Sequence, residues 1–223
     1  MKSLSKAAFS MPETRREVFG VLCSGRGTDL QSIIDAIGRG DIDASIGVVI
    51  TDKPNVMALE RANKAGIQNV CVPRRDYDDR ENFERAMIAE LEKNEVTSVI
   101  CAGFMRILSP YFVHHYAGRI INIHPALLPS FPGAHAHRDV LAYGVKVSGC
   151  TVHFVDEGTD SGPIIMQKAV PVLDDDTEES LAARVLKEEH IIFPKAVSLY
   201  ADGRLRVDGR HVTILPANPK QHN

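Results

Sequence analysis

The hydrophobic residues of this chain follow two alternating patterns. Short apolar runs rich in β-branched residues predict strands, and they occupy residues 18–23, 46–50, 70–72, 96–101, 120–123, 151–155 and 164–166. Elsewhere apolar residues recur at helical spacing, as in residues 30–37, which predicts amphipathic helices. Helices are expected over residues 28–37, 55–65, 78–94, 109–115 and 176–200. Strands that alternate with helices indicate βαβ units, and therefore an α/β domain with a mostly parallel central sheet flanked by helices.

Local signals set the ends of several elements. Thr28 with Gln31 has the pattern of a capping box at the start of the first helix, and Gly38 and Gly40 are expected to stop that helix. Residues 125–134 contain too many prolines for a helix or a strand and predict an ordered loop.

The end of the chain predicts a hairpin, because two short apolar runs flank Asp208-Gly209. We find no internal repeat and no low-complexity linker. The expected organisation is a disordered tail at residues 1–16, one domain at residues 17–215 and a C-terminal tail at residues 216–223.

Composition places the chain among ordinary globular proteins. It has 223 residues, of which 44% are hydrophobic and 25% charged, and these values exclude disordered, collagen-like and disulfide-dense classes. No apolar run approaches the roughly 20 residues needed to span a bilayer, and the basic N-terminus lacks the apolar core of a secretory signal. The four cysteines are widely spaced with no CxxC pair, which favours free thiols and a cytoplasmic location.

Charge is distributed unevenly along the chain. The net charge is −3, and residues 1–16 carry +3, which leaves −6 on the remainder. This balance argues against general nucleic-acid binding. An anionic ligand would need a local positive potential, because the overall field of an acidic body repels it.

The turn between the first strand and the first helix could supply that potential. Ser24-Gly25-Arg26-Gly27-Thr28 leads into a helix N-terminus, where free N–H groups and the helix dipole suit a phosphate. It is neither a GxGxxG motif nor a P-loop, and a tight turn that binds no ligand would have the same sequence pattern.

Two further segments carry candidate chemistry. Asn122 and His124 are two residues apart at a strand end and therefore share a face; Asn can donate to an oxyanion, and His can exchange a proton near neutral pH. Asp160 lies in a turn-rich loop and could orient a His or relay a proton. Each also fits a purely structural role as a satisfied buried polar group or an ordinary Asp turn.

Other polar residues give weaker signals. A zinc site at His135, His137 and His153 would need further ligands, and no Cys pair stands nearby, so no metal is expected. Arg80 and Glu189 lie in charged helical stretches, for which a solvated face is the ordinary interpretation.

In combination and in this order, the segments resemble the phosphoribosylglycinamide formyltransferase family, folate-dependent enzymes of purine synthesis. The resemblance covers about residues 18–210 and rests on VLCSGRGTDLQSIIDA, AGFMRILSPYFVHHYAGRIINIHPALLPSFPGAHAHRDVL, GCTVHFVDEGTDSGPII and EEHIIFP. It implies a single Rossmann-like domain with the formyltransferase fold. It also implies transfer of a formyl group from 10-formyltetrahydrofolate, as co-substrate, to the amine of glycinamide ribonucleotide without a metal.

The resemblance also implies roles for individual residues. Asn122, His124 and Asp160 would be the catalytic set. The substrate would be bound by Gly27, Thr28, Asp29 and Glu189. The folate would contact Arg80, Met105, Arg106, Ile107, Leu108, Asp156, Glu157, Gly158 and Thr159. The family commonly has Ser-Asn where this chain has Thr28-Asp29, and a carboxylate beside a phosphate would repel it unless the carboxylate points away.

Alternatives come from the same family and from another class. Formyltetrahydrofolate deformylase is similar across NIHPALLPSFPGA but carries an additional N-terminal domain, whereas only 17 residues precede the first strand here. Methionyl-tRNA formyltransferase needs a further C-terminal domain and a basic surface. A non-catalytic folate- or nucleotide-binding module would not require the intact catalytic set. The expected partners are glycinamide ribonucleotide and folate, with no nucleic acid or membrane, in a monomer or homodimer.

Overall fold

The computed structural model describes residues 16–217, which form an α/β domain around one large sheet. Nine strands occur in these residues: β1 Glu17–Cys23, β2 Ala44–Thr51, β3 Asn69–Cys71, β4 Ser98–Cys101, β5 Ile120–His124, β6 Val147–Phe154, β7 Ile164–Pro171, β8 Leu205–Asp208 and β9 His211–Ile214. The six α-helices are α1 Thr28–Arg39, α2 Met57–Lys64, α3 Arg80–Lys93, α4 Pro110–His115, α5 Ala136–Tyr143 and α6 Glu178–Ala201. The expected tails lie almost entirely outside the described residues.

The central sheet has seven strands in the order β3-β2-β1-β4-β5-β6-β7. Strands β1 to β5 are parallel, and β6 and β7 are antiparallel to their neighbours. The chain runs outward in one direction from β1 and in the other from β4, so a topological switch point lies between these two strands. In open α/β sheets, ligands bind at the carboxyl ends of the strands beside such a point.

Helices cover both faces of the sheet because successive strand residues point to opposite sides. Val21 belongs to the core packed beneath α1 and α6, whereas its neighbour Leu22 belongs to the core packed beneath α3 and α4. Phe193 of α6 and Phe112 of α4 are fully buried in these two cores. The predicted α/β architecture is therefore confirmed, and both layers hold the strand ends of the site in place.

The first helix differs from its prediction at both ends. Its N-cap is Gly27 rather than Thr28, with a left-handed φ of 67° and no side-chain cap. Gly38 lies inside the helix, and the stop comes from Gly40, whose left-handed φ of 79° lets its N–H bond the last carbonyls.

One helix was not expected from the hydrophobic pattern. Helix α5 follows the Pro-rich loop, is eight residues long and has no side-chain cap at its N-cap residue His135, so it lacks the usual start signals. Strand β6 also begins four residues before the predicted run, and β7 continues five residues beyond its own.

The four cysteines are free, with Cys71 half-buried and the others buried. Across residues 16–217, none of the helices has both the length and the apolar character required to cross a bilayer. The same residues contain no group of three or more His, Cys, Asp or Glu side chains arranged to hold a metal ion.

Candidate active site

Two cavities meet at the carboxyl ends of the central strands. The large cavity encloses about 660 Å³ between the turn after β1 and the first half of α6. The small cavity encloses about 300 Å³ between residues 104–108 and the loop of residues 156–160. The two cavities share lining residues Gly103, Met105, Ile123 and Pro125. A molecule in one cavity can therefore reach a molecule in the other.

The three predicted catalytic residues lie together in the small cavity. Asn122 and His124 project from the end of β5, and Asp160 faces them from the loop after β6. The Nδ1 atom of His124 is 3.4 Å from Oδ2 of Asp160, and its Nε2 donates to the carbonyl of Phe131 at 2.8 Å. Both ring nitrogens therefore face oxygen atoms of the protein.

The backbone around Asp160 fixes its carboxylate. Asp160 has a left-handed φ of 50°, which is uncommon for a residue with a side chain and is typical of functional positions. The N–H of Gly133 donates to Oδ2 of Asp160 at 2.8 Å. A Cβ at Gly162 would lie 1.8 Å from the carbonyl oxygen of Phe154, so the loop can approach β6 this closely only with glycine there.

His153 sets the orientation of the Asn122 amide. Its Nδ1 donates to the carbonyl of Phe154 at 2.8 Å, so Nε2 carries the lone pair and accepts from Nδ2 of Asn122 at 3.1 Å. Burial lowers the pKa of His153, and the ring therefore stays neutral and remains an acceptor. One N–H of Asn122 is engaged in this way, and the other is available to a ligand.

The turn after β1 forms one wall of the large cavity. Gly27 caps helix α1, and the backbone N–H groups of residues 28–30 have no backbone partner within the described part of the chain. The Nε atom of Arg61, on helix α2, donates to the carbonyl of Arg26 at 2.8 Å and so holds the turn against that helix. Free N–H groups at the start of a twelve-residue helix are an anion-binding arrangement.

Asp29 and Glu189 both line the large cavity. The side chain of Asp29 is 13% exposed, and Glu189 is 7% exposed. Burial raises the pKa of Asp29; burial, followed by the charge of Asp29, raises the pKa of Glu189. With Gly27 and Thr28 also in the lining, the large cavity brings together all four predicted substrate-binding residues.

The small cavity brings together most of the residues predicted to contact the folate. Residues 105–108 form one wall, and Asp156, Gly158 and Thr159 form another. Arg106 is held by buried Asp52, with 2.5 Å between its Nε and Oδ2.

Two predicted folate contacts lie outside the lining of the small cavity. Arg80 donates from Nε to Glu84 at 3.2 Å and from its terminal nitrogen to the carbonyl of Ile107. Glu157 accepts from Nε2 of His114 at 2.6 Å on the surface. Both residues thus hold segments of the cavity wall, because their side chains are already engaged with the protein.

The structure brings to the site two residues of the predicted anion-binding turn, Ser24 and Arg26, and two histidines, His137 and His153, to which sequence reasoning assigned no role there. Ser24, Arg26 and His137 line the large cavity, and burial lowers the pKa of His137. Arg26 is the only Arg or Lys side chain among the described residues of that lining. Its position in a glycine turn was a usable signal, whereas nothing local marked His153 as the partner of Asn122.

Comparisons with known proteins agree on one family. The model of the family described as formyl transferase matches residues 18–197. Phosphoribosylglycinamide formyltransferase of Escherichia coli is 46% identical over 187 residues, which are 84% of this chain and 88% of that protein. The trifunctional purine biosynthetic protein adenosine-3 of Drosophila melanogaster is 45% identical over 195 residues, and there the match covers 86% of this chain but only 14% of the relative.

A solved structure shows the same fold. The crystal structure of glycinamide ribonucleotide transformylase 1 from Symbiobacterium toebii superposes with a TM-score of 0.88 at 47% identity, covering 90% of this chain and 95% of that one.

Proposed function

The chain belongs to the formyl transferase family, and we propose that it transfers the formyl group of 10-formyltetrahydrofolate to the amine of glycinamide ribonucleotide in purine synthesis. The observation that carries this proposal is the position of Asn122, His124 and Asp160 beside the junction of two cavities. One cavity offers an anion-binding turn, and the other offers a mixed apolar and polar cleft. A two-substrate group transfer needs such a junction, because the two reacting atoms must meet.

The first chemical step forms the new C–N bond. The free amine of glycinamide ribonucleotide attacks the formyl carbon, and the carbonyl oxygen becomes an oxyanion. The second N–H of Asn122 can donate to this oxyanion, and the imidazolium of His124 stabilises the negative charge nearby. His153 keeps the Asn122 amide turned the right way.

The second step breaks the old C–N bond. The attacking nitrogen loses a proton, the oxyanion collapses, and the folate nitrogen leaves after it takes up a proton. Asp160 can accept and pass on that proton through water while it holds His124. Neither step needs a covalent enzyme intermediate.

We place the phosphate of glycinamide ribonucleotide on the N–H groups of residues 27–29 at the start of α1. Arg26 supplies the local positive charge there that the acidic body lacks. Glu189 would face the ribose and amine side of the same substrate. The folate would lie in the small cavity between residues 105–108 and the loop of residues 156–159, with Arg80 and Glu157 supporting these two walls.

The remaining expectations concern the protein in its cell. We expect a cytoplasmic enzyme that works as a monomer or homodimer and binds neither nucleic acid nor membrane.

The test compares turnover of 10-formyltetrahydrofolate with and without glycinamide ribonucleotide, followed by folate absorbance. A transferase consumes the folate only when the amine is present. Consumption without the amine would instead identify a deformylase, and tight folate binding with no turnover in either mixture would identify a binding module.

The catalytic assignment has its own test. His124→Ala should lose several orders of magnitude in kcat while folate affinity, measured by calorimetry, largely survives. His115→Ala is the matched control, because His115 pairs with Glu92 at the surface and should leave turnover unchanged. Wild-type turnover by His124→Ala would refute the assignment.

A further inference from the structure

We propose that Asp29 and Glu189 share a single proton in the free enzyme, and that this proton lets the large cavity accept a substrate that carries a phosphate. The identity of the substrate rests on the proposed function, whereas the shared proton is a property of the protein alone. The proposal gives the carboxyl group of Asp29 a specificity-determining role beside the anion-binding turn.

Both carboxyl groups lie in one cavity without hydrogen bonds to satisfy them. The Oδ1 atom of Asp29 is buried and has no hydrogen-bond partner among the described residues. Glu189 is more than nine-tenths buried, lines the large cavity and makes no side-chain hydrogen bond within residues 16–217. An ionised carboxylate normally accepts two or more hydrogen bonds when it is removed from water.

The nearby cations do not balance two negative charges. Arg26 lies on the exposed turn; its charge lowers the pKa of Asp29, but burial outweighs it and the pKa is raised. The Nε2 atom of His190 is 3.7 Å from Oδ1 of Asp29. Burial, helped by the charge of Arg61, lowers the pKa of His190, so its ring is neutral.

The other titratable groups around the pair do not supply a counter-charge either. Burial raises the pKa values of the Cys23 and Cys150 thiols, which therefore remain uncharged. Burial also lowers the pKa of His137, and that ring stays neutral. The remaining charged residues of the lining, Glu178 and Glu179, are exposed acids at the rim.

Two carboxyl groups in such a site do not both ionise near neutral pH, since each disfavours the charge of the other. With one proton between them, the pair carries one negative charge and offers one O–H donor. A phosphate bound at the turn favours retention of that proton. Substrate binding should therefore take up a proton at alkaline pH, where the free enzyme has begun to lose it.

The first experiment observes the proton directly. Infrared spectra of the free wild-type enzyme at pH 7 should show a protonated carboxyl stretch. This band should be absent from the spectra of Asp29→Asn and Glu189→Gln. Glu179→Gln, which removes an exposed acid from the same lining, should retain it. Circular dichroism establishes that each variant is folded.

The second experiment measures the consequence for substrate. At saturating folate, the KM of the wild type for glycinamide ribonucleotide should rise above neutral pH and approach about tenfold for each pH unit, the limit for one linked proton. Asp29→Asn should remove that extra rise, and Glu179→Gln should keep it. Calorimetry in buffers of different ionisation enthalpy should show proton uptake by the wild type and none by Asp29→Asn.

The outcomes separate the two proposals. Absence of the carboxyl stretch in the wild type, or an unchanged rise in KM with pH in Asp29→Asn, overturns the shared proton. A wild type that shows the stretch but has no turnover with glycinamide ribonucleotide overturns the proposed function and leaves the shared proton standing.

Discussion

His153 shows how one side chain can set the orientation of another that is proposed to act on the substrate. An amide side chain can present either its oxygen or its nitrogen to a ligand, and only the nitrogen can donate to an oxyanion. The carbonyl of Phe154 requires a proton on Nδ1 of His153, which leaves Nε2 as an acceptor that holds the Asn122 nitrogen. The chemistry of Asn122 is thus decided one hydrogen bond away.

Replacement of His153 should therefore affect kcat more than KM. In His153→Ala the half-buried amide of Asn122 loses its partner, a change that costs about 1–3 kcal/mol, and kcat should fall roughly 10- to 100-fold. His153→Gln restores an acceptor oxygen and should recover part of that loss. Steady-state kinetics for both substrates check the result, and an equal rise in both KM values without a change in kcat would contradict a positioning role.

At the scale of elements, the entry to helix α1 depends on one glycine. A Cβ at Gly27 would lie 2.8 Å from the Cα of Ala58 in α2, and the residue has a left-handed φ of 67°. Gly38, in the same helix, has open space where a Cβ would be and has no positive φ. Gly27 therefore has a steric and a conformational requirement for glycine, and Gly38 has neither.

Their alanine variants should move stability in opposite directions. Gly27→Ala should lower the free energy of unfolding by at least about 1–2 kcal/mol, because the left-handed backbone disfavours alanine, and it should raise the KM for glycinamide ribonucleotide. Gly38→Ala should raise stability by about 0.5–1 kcal/mol with unchanged kinetics. Urea unfolding and steady-state assays measure both effects; equal stability of the two variants would show that the turn is not constrained as described.

Arg80 supports the wall of the small cavity from helix α3. It bridges buried Glu84 and the carbonyl of Ile107, and Glu84 also accepts from the backbone of Ser109 at 2.8 Å. These bonds connect the C-terminal end of the wall to helix α3. The wall should therefore loosen as a unit when Arg80 is removed.

Arg80→Ala should raise the KM for folate about three- to tenfold, a typical loss of one or two hydrogen bonds, and should leave the KM for glycinamide ribonucleotide unchanged. Arg80→Ala should raise the KM by the same factor for a folate that lacks its glutamate tail. If the effect disappears with the truncated folate, Arg80 contacts the tail directly instead. Arg85→Ala is the control, because Arg85 lies on the same helix but pairs with exposed Glu81.

The sequence predicted elements better than it predicted contacts. Buried strands were recognisable because runs of β-branched residues favour strands over other secondary structures. The start of helix α4 was predicted from Ser109-Pro110. Helix α5 escaped because it is short and uncapped. The hydrogen bond that Asn122 donates to His153 was also not predicted, since it depends on the antiparallel register between β5 and β6, which no local pattern encodes.

At the scale of the whole molecule, two kinds of carboxyl group affect stability in opposite directions as the pH changes. The side chain of Asp176 is 2% exposed, and its carboxylate accepts from both terminal nitrogens of Arg184 at 2.7 and 2.8 Å. The hydrogen bonds from Arg184 lower the pKa of Asp176. Asp29 and Glu189 have no such partners, and burial raises the pKa of each carboxyl group.

The pH dependence of thermal unfolding should separate these two kinds of carboxyl group. A carboxyl group whose pKa is lowered on folding stabilises the fold at pH values above its unfolded pKa near 4, and this contribution is lost as the pH falls. Asp176→Asn should therefore lower the Tm at pH 7, and its difference in Tm from the wild type should shrink in acid. A raised pKa acts in the opposite sense, because the folded state binds the proton more tightly and loses stability as the pH rises through the pair's titration. Asp29→Asn removes that alkaline loss, so its Tm should exceed that of the wild type most at pH 8 and above. Calorimetric Tm values across roughly pH 2–9 test both signs, because the Asp176 contribution is lost only below the unfolded pKa near 4. A lower Tm for Asp29→Asn at alkaline pH would mean that the buried carboxyl stabilises the fold rather than serving the substrate at the expense of stability.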